Sequence, residues 1–180
     1  MKKLVLALGI TTALTASAFA QTAQNQSNGQ IEFSGEVTNA SCTLNPIKPV
    51  NLGSVSKNSL KTAGAGAGWG TSTIQFVDCE LGTEDNNDVI TSVTLDIQPG
   101  TAAANNSELW ENTALDGADN VGISVKIDNK NISPTGGELV TKNILKDGTL
   151  SLNVAGRIVA TGEATPGKVE STVNFVAKYK

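Results

Sequence analysis

The stretch that decides the fold closes the chain: GKVESTVNFVAKYK, residues 167–180. Val169, Ser171, Val173, Phe175, Ala177 and Tyr179 fall on one side of an extended backbone, and Glu170, Thr172, Asn174, Val176 and Lys178 on the other. Successive side chains of a strand point to opposite faces, so this period of two predicts a β-strand over 169–179 with one face turned to a core. A second alternating stretch, IEFSGEVT over residues 31–38, puts Ile31, Phe33, Gly35 and Val37 on one face. It follows a polar, Gln/Asn-rich run, residues 21–30, that has no apolar surface to pack.

Between these ends the same period returns. Strands are predicted over 71–77, 89–97, 121–127 and 149–161, separated by turn signals such as Asn45-Pro46, Lys48-Pro49, Pro99-Gly100 and Thr165-Pro166-Gly167. Residues 105–115 are weaker, a short helical turn or an edge strand. The segment 129–137 reads as a turn-rich loop, and the Gly/Ala run 64–70 around Trp69 as a mobile connector. Six or seven short strands and no long helix predict an all-β sandwich.

Export is written at the other end. Lys2 and Lys3 precede an apolar run over 4–14, and Ala18-Phe19-Ala20 is a small-x-small cleavage pattern, so residues 1–20 are expected to be a signal peptide and the mature chain to begin at Gln21. The apolar run is short for a bilayer span, and no direct membrane insertion is expected. Cleavage would leave 11 bases against 17 acids, a net charge of −6, which disfavours nucleic acid as a partner. Cys42 and Cys79 are the sole cysteines, and in an oxidising compartment they are expected to pair.

Enzymatic chemistry finds little support. There is no histidine, hence no imidazole base or ligand, and two thiols cannot build a four-thiolate zinc site. The 64–70 run lacks the Gly-Lys-Ser/Thr ending of a phosphate loop. Glu84, Asp85 and Asp88 miss the calcium-loop spacing and read as a solvated acidic turn. The 17 acids offer many carboxylate pairs, but nothing singles out any two. No catalytic residue, metal or cofactor is expected.

The residues also carry a family resemblance. Phe33-Ser34-Gly35-Glu36-Val37, Asn39-Ala40-Ser41-Cys42, Asp78-Cys79, the string from Ala160 to Gly167, the glycine fourteenth from the end (Gly167) and the penultimate Tyr179 together resemble the chaperone–usher pilin subunits, close to type 1 major fimbrial subunits. The resemblance runs over nearly the whole mature chain. It implies an incomplete immunoglobulin-like β-sandwich, residues 41–180, with six strands from the chain and the seventh missing. A periplasmic chaperone and an outer-membrane usher are then the implied partners, followed by identical or related pilin subunits, with the product a cell-surface fimbria that supports adhesion.

Residue by residue, the resemblance makes 21–40 an N-terminal extension, with a polar leader over 21–30 and a donor strand over about 31–40. Its donor face would be Ile31, Phe33, Gly35, Val37 and Asn39. The chaperone-binding and acceptor edge would comprise Gly167, Val169, Val173, Phe175, Tyr179 and the terminal Lys180. The polar leader contributes no apolar plugs, and Asn39 is polar where an apolar residue would sit more comfortably. A minor adaptor or terminator pilin, and a self-contained secreted binding sandwich, remain alternatives at this level.

Overall fold

Alternating Val, Ile, Leu and Phe build two facing sheets. The structure, a computed structural model, describes residues 41–81 and 90–180. Their strands are β1 Thr43–Leu44, β2 Gly70–Val77, β3 Ser92–Ile97, β4 Ala102–Ala103, β5 Asn106–Glu111, β6 Val121–Ile127, β7 Lys130–Ile132, β8 Leu139–Asn143, β9 Leu150–Ala160 and β10 Phe175–Tyr179. One sheet has the order β1-β2-β9-β6-β5-β4, with β7 also on β6; the other is β10-β3-β8. Among the described residues the helical content is a single 3-10 turn, Lys57–Ser59.

The core fills the space between the sheets. Ile74 and Phe76 of β2, Ile123, Val125 and Ile127 of β6, and Leu150 and Leu152 of β9 meet Val93, Leu95 and Ile97 of β3. The three β3 side chains have no exposed surface, so each contributes about 1.5–3 kcal/mol by leaving water. Trp110 closes one end of the core and donates its indole N–H to the Ile132 carbonyl at 2.9 Å, which satisfies its one polar atom. Cys42 and Cys79 are joined by a disulfide. It lies beside the short ladder in which Thr43 and Leu44 of β1 face Val77 and Phe76 of β2.

Several elements differ from the sequence reading. The Gly/Ala run is ordered: Gly64 N donates to Ala160 O, Ala67 N to Ile158 O, and Ala160 N to Ala65 O, which extends the β2–β9 pairing past Trp69. Glycine and alanine have no bulk to signal a strand, but their backbone groups pair as well as any others. Residues 130–132 form β7 instead of a loop. Asp128 (φ 45°) and Asn129 (φ 67°) make the two-residue turn that folds β7 back on β6, and these residue types tolerate such angles. The weak 105–115 segment is a strand, β5, but not an edge one: it lies between β6 and the two-residue β4, and a turn follows it. β8 carries one buried residue, Val140, in a burial pattern too faint to read as a strand. The expected strand over 31–38 and most of the acidic turn expected over 80–88 lie outside the described residues.

The cysteine pair closes a loop with a sequence separation of 37, and the chain-entropy estimate for that length is about 4 kcal/mol. Replacing both cysteines by serine should lower unfolding stability by roughly that amount, read as a fall in the guanidinium midpoint, with a steeper slope because the unfolded chain is no longer cross-linked.

Candidate functional site: an open groove beside the last strand

Among the described residues the last strand has one partner. In β10, Phe175, Ala177 and Tyr179 stand opposite Ile97, Leu95 and Val93 of β3, all on the core side. On the outer side Lys178 pairs with Asp96 at 2.6 Å, an exposed contact of about 0–1 kcal/mol. Among the described residues no strand lies against the other edge of β10.

The segment leading into β10 is less paired still. Residues 171–173 form no backbone hydrogen bond with any other described residue, whereas Glu170 O accepts from Thr113 N and Asn174 O from Gln98 N. The predicted strand over 169–179 is therefore a ladder over Phe175–Tyr179 preceded by a chain that follows the sheet edge without joining it.

The burial of this stretch alternates as the sequence predicts, with a difference in degree. Val169, Ser171, Val173, Phe175, Ala177 and Tyr179 are all half-buried, and none is fully buried. Val169, Val173, Phe175, Ala177 and Tyr179 all pack on the main core. Core-facing residues of a completed sandwich are covered on every side, as Val93, Leu95 and Ile97 are here.

The uncovered side is a groove. One wall is residues 169–175, the other residues 47–53, and the floor is Ile74, Ile123, Val125, Ile127 and Val154; its volume is ≈ 590 Å³. It runs into a second cavity of ≈ 520 Å³ that shares Leu52, Gly53, Val169 and Glu170 with the first and ends among Leu60, Ala164 and Gly167. The first section is almost wholly apolar on its floor; the second mixes Leu60, Val121 and Ile158 with Ser54, Lys57 and Lys168.

Glycine sets both walls. A Cβ on Gly70 would overlap the Asn51 carbonyl, so glycine lets residues 50–51 lie down against the start of β2. A Cβ on Gly167 would collide with the backbone of Gly117 and Ala118, where the chain crosses the loop ahead of β6. That crossing is held by Ala118 N donating to Lys168 O at 2.9 Å and by Asn112 Nδ2 donating to the same oxygen at 2.9 Å.

Of the expected edge residues, Val169, Val173 and Phe175 line the larger cavity, and Gly167 and Val169 the smaller. Tyr179 lies past the groove with its ring edge-on to Phe76, centroids 6.4 Å apart. Burial pushes its phenol pKa up. Lys180 is tied to the first turn of β3: its N–H donates to Ser92 O, and its carbonyl oxygen accepts from Thr91 N at 2.6 Å and Ser92 N at 2.9 Å. The terminal group is thus already anchored within the subunit on one oxygen. Ile31, Phe33, Gly35, Val37 and Asn39 lie outside the described residues.

Sequence reasoning missed the opposite wall. Ile47, Val50 and Leu52 sit between Pro46, Pro49 and Gly53, and prolines read as breaks. They also remove backbone donors, which suits a chain lying at a sheet edge. The apolar residues spaced through that proline-rich run were the available signal.

Comparison with known proteins places this geometry. The sequence profile of a family described as fimbrial protein matches residues 31–180. The chain is 33% identical to the major fimbrial subunit SMF-1 of Stenotrophomonas maltophilia, over 90% of this chain and 98% of that one. It is 29% identical to the type-1 fimbrial protein, C chain, of Escherichia coli, over 97% and 93%. Among solved structures, a subunit of a chaperone–usher pilus superposes with a TM-score of 0.64 at 23% identity, covering 86% of this chain and 97% of that one. The P pilus rod subunit PapA superposes with a TM-score of 0.61 at 22% identity, covering 78% and 100%.

Two outcomes test the geometry. Gly167→Ala should destabilise the subunit by about 1–3 kcal/mol, because backbone on the facing loop has nowhere to move; denaturant unfolding reads it. Burial favours the neutral phenol of Tyr179, so its folded pKa stands above the unfolded value of 10.0. The stability this contributes is complete below that pH and is lost as pH rises through the folded value. Tyr179→Phe should therefore flatten the loss of stability above pH 10, seen by comparing unfolding midpoints of the two proteins at pH 8 and 11.

Proposed function

The chain belongs to the fimbrial protein family, and from that premise we propose that it polymerises by donor-strand exchange, with the groove beside β10 as the acceptor. Its relatives are structural fimbrial subunits, not enzymes, and the chain is a structural pilin of the chaperone–usher class with an incomplete immunoglobulin-like fold. Fimbrial subunits join other pilins in surface fibres.

The observation that carries the finer reading is the half-burial of every core-facing residue from Val169 to Tyr179 beside an apolar groove. Wet core side chains and unpaired backbone are costly, and an added strand removes both costs. The occupant proposed is residues 31–39 of the next subunit, whose Ile31, Phe33 and Val37 would enter the groove. Three such side chains at about 1.5–3 kcal/mol each, with several ladder hydrogen bonds near 1 kcal/mol, give a gross gain on the order of 10 kcal/mol before ordering costs.

A periplasmic chaperone would cover the same edge first, along Val169, Val173 and Phe175, and would reach Lys180. An outer-membrane usher would then mediate the exchange, and residues 1–20 would direct export. The finished fibre would support adhesion.

Fibres sheared from cells should run as a ladder of multimers on SDS gels without boiling and collapse to one subunit band after harsh denaturation. Gly35→Leu should leave chaperone capture intact and stop the ladder, because a large side chain would stand where the donor face is bare. Ladders of normal length from that variant would remove the donor assignment.

A further inference from the structure

The outer face of the larger sheet, away from the groove, carries a cluster that lines neither groove cavity. Trp69 is 37% exposed. The Lys126 ammonium and the Arg157 guanidinium each lie 4.8 Å from its ring centroid. Arg157 is the chain's one arginine. Neither cation forms a salt bridge among the described residues. Two uncompensated cations converging on one exposed ring, in a chain with formal net charge −4, form a local electropositive spot on an acidic protein.

Beside it lies a cavity of ≈ 420 Å³ that mixes Ser107, Glu108, Ser124, Asn131, Thr135 and Glu138 with Leu109, Val125 and Ile132. The two features are contiguous through the sheet register: Ser124 stands opposite Arg157, and Asn131 opposite Lys126. The ends of this surface differ in charge, with cations and the indole at one and two carboxylates at the other. Glu138 accepts from Ser133 with one oxygen, at 2.6 Å from the hydroxyl and 3.2 Å from the backbone N–H; its other oxygen is buried and without a partner among the described residues. A buried carboxylate oxygen in that state calls for a donor.

We propose that the Trp69–Lys126–Arg157 cluster and the adjoining cavity form a binding site for a carboxylated sugar. The sugar's carboxylate would lie on Arg157 and Lys126. Its hydroxyls, which both donate and accept, would meet Asn131, Ser107 and Thr135, and would donate to Glu108 and, after a small side-chain shift, to Glu138. A simple anion would use the cations but not the carboxylates, and a neutral sugar the reverse. The reading does not rest on strand exchange, since the site belongs to one subunit and faces away from the groove. In a fibre it would repeat and bind multivalently.

The test uses the full chain, both as a purified subunit and as fibres, with saturation-transfer NMR and titration. The probes are the methyl glycoside of N-acetylneuraminic acid and its methyl ester, which keeps every hydroxyl but loses the charge. The acid should bind about tenfold more tightly than the ester, the magnitude of one charge-assisted hydrogen bond. Arg157→Gln should remove that preference, bringing acid and ester to equal affinity; Lys126→Gln serves if the first variant folds poorly. Equal binding of acid and ester, or no transfer to either at millimolar concentration, would overturn the proposal. So would tighter binding of a poly-glutamate peptide than of the sugar, which would make this face a protein contact. Failure of the gel ladder with sugar binding intact would count against strand exchange alone.

Discussion

A β-strand has two edges, and among the described residues β10 pairs along one. Its residues pair with β3 and point Phe175, Ala177 and Tyr179 into the core, yet the opposite edge meets no strand among the described residues and the approach to it, residues 171–173, is unpaired. Every other feature of the site follows from this. The groove lies where no described strand continues the sheet; its floor is apolar because Ile74, Ile123 and Val125 belong to the core between the sheets. The subunit is stable elsewhere, where β3 is flanked on both sides and its side chains are sealed, and undersatisfied along one line.

That division bears on how such a subunit handles its own edge. Apolar floor and open backbone together favour any extended segment with alternate apolar residues, so the same physics that would drive assembly also invites wrong partners. The walls limit the choice by shape. Gly70 lets residues 50–51 lie against the start of β2, and Gly167 lets the chain cross the Gly117–Ala118 loop tightly. The terminal Lys180 is pinned to Thr91 and Ser92, so the far end of β10 cannot fray into the solvent.

Much of the fold was legible. The period-two runs at 71–77, 121–127 and 149–161 emerge as β2, β6 and β9 within a residue or so, because these central strands carry large apolar residues on at least one face and the alternation is strong. The elements that escaped are those whose strand character comes from pairing alone. Residues 64–67 are small and pair through backbone; β7 is three residues long and exists because Asp128 and Asn129 turn tightly; β8 buries one valine. Within the site, Val169, Val173 and Phe175 were visible, while the wall made by Ile47, Val50 and Leu52 was hidden behind prolines.

By itself the sequence determined that the chain is all-β, that its two cysteines could join, that no histidine-based chemistry is available, and that its last strand has one apolar face. These are properties of local periodicity and of residue type, which need no neighbour to be read. The tertiary structure decided how that strand sits: among the described residues it pairs along one edge, its apolar face is half-covered, and a proline-rich segment far away in the chain forms the facing wall. Whether a strand is central or terminal depends on which segments come to lie beside it, and that is settled by long-range packing between residues with no mark of each other in their own neighbourhoods.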